Sequence, residues 1–126
     1  MEYYIVDSFA TKLFKGNPAG VCVLDRRIPL ELMQKIAEEN NLPETAFVVK
    51  GKGNYELRWF TPKAEIDLCG HATLAAAYVI SNFIDVNVKK IDFFTQSGKL
   101  EVTRNGNLYE MIFPEIMPIE IELSPQ

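Results

Sequence analysis

Histidine occurs once in this chain, as His71, and cysteine twice, as Cys22 and Cys69. A structural zinc site takes four closely spaced Cys or His ligands, and this set falls short. No carboxylate cluster spells out a calcium loop, so no metal is expected. Cys69 and His71 are two apart and do not share a helix face. Two thiols make no disulfide framework either, which points to a reducing compartment.

Positive charge is sparse and scattered. Thirteen Lys and Arg stand against seventeen Asp and Glu, and no basic block exceeds a pair such as Lys89-Lys90. Neutralising phosphates takes clustered cations, so neither nucleic acid nor an anionic membrane is expected as a partner.

Long apolar runs are missing as well. The longest uncharged segment, Leu68 to Ile84, carries His71, Thr73, Tyr78, Ser81 and Asn82. It is too short and too polar for a membrane-spanning helix. The opening "MEYYIVDSF" has no basic region followed by an apolar stretch, so it reads as a strand and not as a signal peptide. A cytoplasmic location is the resulting expectation. "GKGN" (Gly51 to Asn54) neither has phosphate-loop spacing nor precedes a helix. No serine sits in a nucleophile-elbow context that would pair with His71. Internal repeats and low-complexity segments are absent.

What remains is an ordinary globule. Apolar residues make up 48% and charged residues 24% of 126 residues, which suits one domain, residues 1–126, with one core. Glu2 to Phe9 and "VCVLD" are β-branched or aromatic and read as strands, separated by the turn "KGNPAG". From Pro29, suited to a first helical position, Leu32, Met33, Ile36 and Ala37 recur on one helical face, ending near Asn40-Asn41. "ETAFVVK" and "YELRWFTP" read as strands paired across "GKGN". A second helix should run from after Gly70 to about Phe83, apolar on every face and therefore enclosed by protein. "KKIDFFTQ", "GKLEVTR" and "NLYEMIF" are strands, the last two joined at Asn105-Gly106. Residues 114–126 read as an edge strand or connector. The expected class is α+β: a strongly curved, mostly antiparallel or mixed sheet wrapped around a central apolar helix at about residues 71–83.

Three places offer chemistry. In "DLCGHATLAAA" (Asp67 to Ala77) a thiol, a glycine and the single imidazole stand at the mouth of the most apolar helix. A helix N-terminus presents unpaired N–H groups and partial positive charge, and glycine allows close approach to the backbone. The plainer alternative is a buried Cys69, a turn at Gly70 and a satisfied polar His71. In "NNLPETAFVV", Glu44 opens a strand beside an apolar run, where a carboxyl is raised in pKa and can act as acid or base. It is equally readable as a solvated strand-end glutamate. In "GNPAG", Asn17 either contacts a ligand or holds an Asx-type turn.

Taken together, "VDSFATKLFKGNPAGV", "NNLPETAFV" and "RWFTPKAEIDLCGHATLAAA" resemble the phenazine-biosynthesis-like (PhzF-like) isomerase family, over most of residues 1 to 113. The resemblance implies a diaminopimelate-epimerase-like fold and cofactor-free isomerisation of a small carboxylic acid, a proton leaving one carbon and returning at another. It implies that Glu44 shuttles the proton, that Gly70 and His71 hold and polarise the substrate, and that Asn17 lies on the substrate-side turn. Asp67 falls inside the third motif and is grouped with the substrate-side residues. Family members carry two such domains with the site between them, and this chain matches the first. The expectations are a truncated product, a separate second-domain partner, or a homodimer that imitates the pair. Two rival functions stand beside this one. "CGHAT" also looks like the thiol motif of proline racemases and diaminopimelate epimerases, with Cys69 as a thiolate base lowered by the helix N-terminus. The other rival is a non-catalytic binding or assembly module.

Overall fold

A computed structural model describes residues 2–6, 18–67, 69–106, 108–113 and 119–122. The strands are β1 (Glu2–Val6), β2 (Ala19–Leu24), β3 (Glu44–Lys50), β4 (Tyr55–Phe60), β5 (Glu65–Ile66), β6 (Lys90–Thr95), β7 (Gly98–Asn105), β8 (Leu108–Phe113) and β9 (Ile119–Glu122). The helices are α1 (Leu30–Asn40) and α2 (Gly70–Val79), and a π-helical turn at Ile80–Ile84 extends α2. The strands form one sheet in the order β1-β2-β3-β4-β6-β7-β8-β9, with β5 added beside β4. The β2–β3 and β4–β6 pairs are parallel and the other neighbours antiparallel, so the sheet is mixed.

Strands β2 and β3 are apolar without alternation because both faces are covered. Ala19, Val21, Val23, Ala46 and Val48 pack toward α2. Cys22, Leu24, Phe47 and Val49 pack on the opposite face with Met33 and Ala37 of α1. The sheet curls because residues from seven strands meet a single short helix. Val6, Leu57, Trp59, Ile91, Phe93, Leu100, Val102 and Met111 all join Ala72, Leu74, Ala75, Ala76, Ala77 and Val79 in one cluster. Alanines on α2 keep its cylinder thin, so strands on several sides reach it together. The expected wrapped helix is therefore present.

Several details differ from the sequence reading. Pro29 is the N-cap of α1, with φ −58° and ψ 145°, one position before the helix proper. Met33 and Ala37 are buried but Leu32 is 44% exposed, since a helix lying on one sheet face buries a narrow stripe. The helix after Gly70 changes at Ile80 to π geometry, with Asp85 N–H reaching back to Ile80 O. Ser81 Oγ–H donates to Ala77 O and Asn82 Nδ2–H to Tyr78 O, and such back-bonding loosens the regular ladder. The two-residue strand β5 has no sequence signal long enough to read. Gly53 and Gly106 carry φ of +76° and +66° at the β3–β4 and β7–β8 connections, as their turn chemistry predicts.

Candidate active site

Strand periodicity aims Glu44. Ala46 and Val48 of β3 pack against α2, and successive side chains alternate faces, so Glu44 shares their face. It is the first residue of β3 and pairs in register with Ala19. Its carboxyl therefore enters the concave side at the strand's end. The Glu44 Oε1 atom is buried and has no hydrogen-bond partner among the described residues. Burial pushes the carboxyl above its ordinary value, and the nearby His71 pulls part of the way back. This is no solvated strand-end glutamate.

The N-terminus of α2 supplies the facing wall. Cys69 is its N-cap, in extended conformation, and Thr73 N–H donating to Cys69 O at 3.1 Å opens the helical ladder. The amides of Ala72 and His71 lie against the Cys69 sulfur and favour its thiolate, though no side-chain capping bond closes. Gly70 begins the helix, and among the described residues a Cβ added there would meet only Met111 Cε, at 3.7 Å. The fold itself leaves room for a side chain at Gly70.

The thiolate rival calls for a lowered Cys69. Its thiol is pushed up to about 11, chiefly by burial, with the Glu44 charge adding to the rise and the two amides opposing it. In that rival the helix N-terminus lowers the thiol, whereas here desolvation outweighs the dipole. Cys22, wholly buried in β2, is pushed up to about 12 by burial.

Glu44, Cys69 and His71 thus come together at one mouth from two distant segments. Asp67 is exposed, and its backbone carbonyl accepts a hydrogen bond from Ser97 Oγ at 3.1 Å, which ties the β6–β7 turn to the segment entering α2. Asn17 lies outside the described residues.

Two residues at this mouth escaped the sequence reading. Trp59 Nε1–H donates to Thr73 Oγ1 at 2.9 Å, and Thr73 Oγ1–H donates to Cys69 O at 2.8 Å. Trp59 is 2% exposed and Thr73 is fully buried. The available signal was a lone hydroxyl inside "ATLAAA" four residues after Cys69, where a core needs none.

A curled mixed sheet around an apolar helix is the diaminopimelate-epimerase-like architecture. A predicted epimerase of Pseudomonas aeruginosa shares it at 23% identity and TM-score 0.67, over 86% of this chain and 41% of that one. The chain belongs to the phenazine-biosynthesis-like protein family, whose model matches residues 6–124. It is 54% identical to an uncharacterized isomerase of Pseudomonas aeruginosa, over 94% of this chain and 46% of that protein. A crystal structure of a PhzF-family phenazine biosynthesis protein from Enterococcus faecalis is 55% identical, with TM-score 0.79, over 93% of this chain and 46% of that one. The chain spans about half the length of the relatives it matches. Among the described residues no helix is long and apolar enough to cross a membrane.

Proposed function

We propose that this domain is one half of a cofactor-independent isomerase that moves a proton between carbons of a small carboxylic acid in the cytoplasm. The observation that carries the reading is the buried Oε1 of Glu44, without a hydrogen-bond partner among the described residues, beside the α2 mouth that holds His71. A carboxyl raised by desolvation is matched to proton transfer near neutral pH.

In the proposed cycle the Glu44 carboxylate accepts a proton as one substrate C–H bond breaks. The same carboxyl, its proton exchanging with solvent between the two transfers, delivers a proton as a C–H bond forms at another carbon. No electrons are exchanged, so the step needs no redox partner. Negative charge developing on the substrate falls near the positive end of α2, where Gly70 admits a close approach and His71 adds a polar contact. In this reading Asn17 and Asp67 take a substrate-binding role. A fixed polar environment of this kind acts without reorganising during the reaction.

Relatives named as isomerases support the reaction class. The high thiol pKa of Cys69 favours Glu44 over a thiolate base. The other half of the cleft is assigned to a second domain, a separate partner or a second copy of this chain.

Deuterium uptake tests the reading. With the second half supplied, the protein should carry deuterium from D₂O into a small unsaturated or hydroxylated acid. Glu44→Gln should abolish uptake and Cys69→Ala should retain it within about threefold, far less than the 10²–10⁴-fold attributed to a positioned acid or base. The reverse pattern would install the thiol mechanism. Binding without uptake in every assembled form would leave a binding module.

A further inference from the structure

Thr73 is the one polar residue in the buried stretch Ala72 to Ala77. Valine has the same shape and would fill the same space, so packing does not call for a hydroxyl. The hydroxyl is fully engaged, accepting from Trp59 Nε1–H and donating to Cys69 O. That carbonyl also accepts the first helical N–H, from Thr73 itself.

Trp59 is a junction between the two halves of the mouth. Its backbone pairs with Ala46 on β3, two residues from Glu44 on the same face. On its other side it pairs with Ile66 of β5, three residues before Cys69. Its indole reaches, through Thr73, the carbonyl of Cys69 itself. One residue therefore holds both ends of the segment from Ile66 to Cys69 and is registered against the strand of Glu44.

We propose that Thr73 and Trp59 are positioning residues. The chain from Trp59 Nε1–H through Thr73 Oγ1 to Cys69 O sets the height and rotation of the first turn of α2 against the strand end that carries Glu44. The inference rests on the reading of Glu44 and the α2 mouth as the site. Without the chain, the first turn of α2 moves relative to Glu44, water enters the mouth and the Cys69 thiol becomes easier to reach.

Thr73→Val removes the hydroxyl and keeps the shape, while Thr73→Ser keeps the hydroxyl. The first readout is the rate of iodoacetamide modification at Cys69 at fixed pH, with buried Cys22 as an internal gauge of global opening. The second is the side-chain titration of Glu44 by carbon NMR in the free protein. Thr73→Val should speed modification of Cys69 about threefold or more while Cys22 is unchanged. It should also move the Glu44 midpoint down toward the ordinary carboxylate value, and Thr73→Ser should restore both. If Cys69 and Cys22 speed up together, or neither changes, the pair is merely structural and the inference fails. Should Thr73→Val not fold, Trp59→Phe, which keeps a ring and loses the N–H, decides by the same readouts. An ordinary Glu44 titration in the unsubstituted chain would count against the proposed function instead, and the Cys69 rates would still judge the positioning pair.

Discussion

Glu44 opens a strand and His71 stands in the first turn of a helix, yet the His71 charge acts on the Glu44 carboxyl at the mouth of the half-barrel. Burial acts on that carboxyl more strongly, and its sign leads to the first prediction. A group whose folded pKa lies above its unfolded value favours the fold below the unfolded value and loses that contribution as pH rises through the folded one. Stability relative to Glu44→Gln should therefore decline as pH climbs above the ordinary value of 4.5. Urea unfolding of both proteins across the carboxylate range measures it, and stability that rises with pH relative to Glu44→Gln would contradict a raised Glu44.

Gly70→Ala separates fold from function. Among the described residues the nearest atom to an added Cβ is Met111 Cε at 3.7 Å, an ordinary contact. Alanine is also the better helix former, so unfolding free energy should stay level or rise by up to about 1 kcal/mol. Ligand binding at the helix mouth should weaken about tenfold or more, since the methyl occupies space that a ligand needs. Calorimetry with a small carboxylate in the assembled protein checks the second half. A variant that loses stability and keeps binding would assign the glycine to the fold.

Thiol chemistry should be slow at both cysteines. With Cys69 pushed up to about 11 and Cys22 to about 12, only a small fraction of either is thiolate at pH 8. Their reaction with a disulfide reagent should lag an exposed thiol by about tenfold or more, Cys69 leading Cys22, and should accelerate as pH rises. Fast labelling of Cys69 at pH 7 would revive the thiolate-base alternative.

The thinness of α2 should be essential to the curl of the sheet. Ala76 has no exposed surface and sits among strands on several sides. Ala76→Leu should cost about 1–3 kcal/mol or more by overpacking. Chemical denaturation measures this, and a neutral substitution would mean the barrel has slack that the packing does not suggest.

Exchange activity should follow assembly. On a sizing column with light scattering, fractions at the single-chain mass of 14.3 kDa should bind a carboxylate without exchanging deuterium. Fractions that exchange should be heavier, because they contain the second half of the cleft. Exchange by the single-chain fraction would refute the half-site reading.

Much of this was legible in the residues. The apolar run after Gly70 required an enclosed helix, since no face of it could meet water without loss. The β-branched strands and the Gly-marked turns made a sheet the only covering available. Glu44 stood visibly at a strand start beside apolar neighbours, and the three motifs named the family. The exposed side of Leu32, the short β5 and the π-helical turn were not legible. Each depends on which neighbour a segment meets, and a local pattern does not carry that.

The sequence by itself determined the class of fold, the identity of its central helix and which side chains could do chemistry, because periodicity and composition are local properties of the chain. Only the tertiary structure decided how those side chains behave. It brought Glu44 beside His71 and Cys69, raised the carboxyl, and raised the thiol that the helix dipole alone would have lowered. It also linked Trp59 through Thr73 to the helix cap. Desolvation and hydrogen-bond geometry depend on what packs around a group in space, and the surroundings of this site come from strands and a helix far apart in the chain.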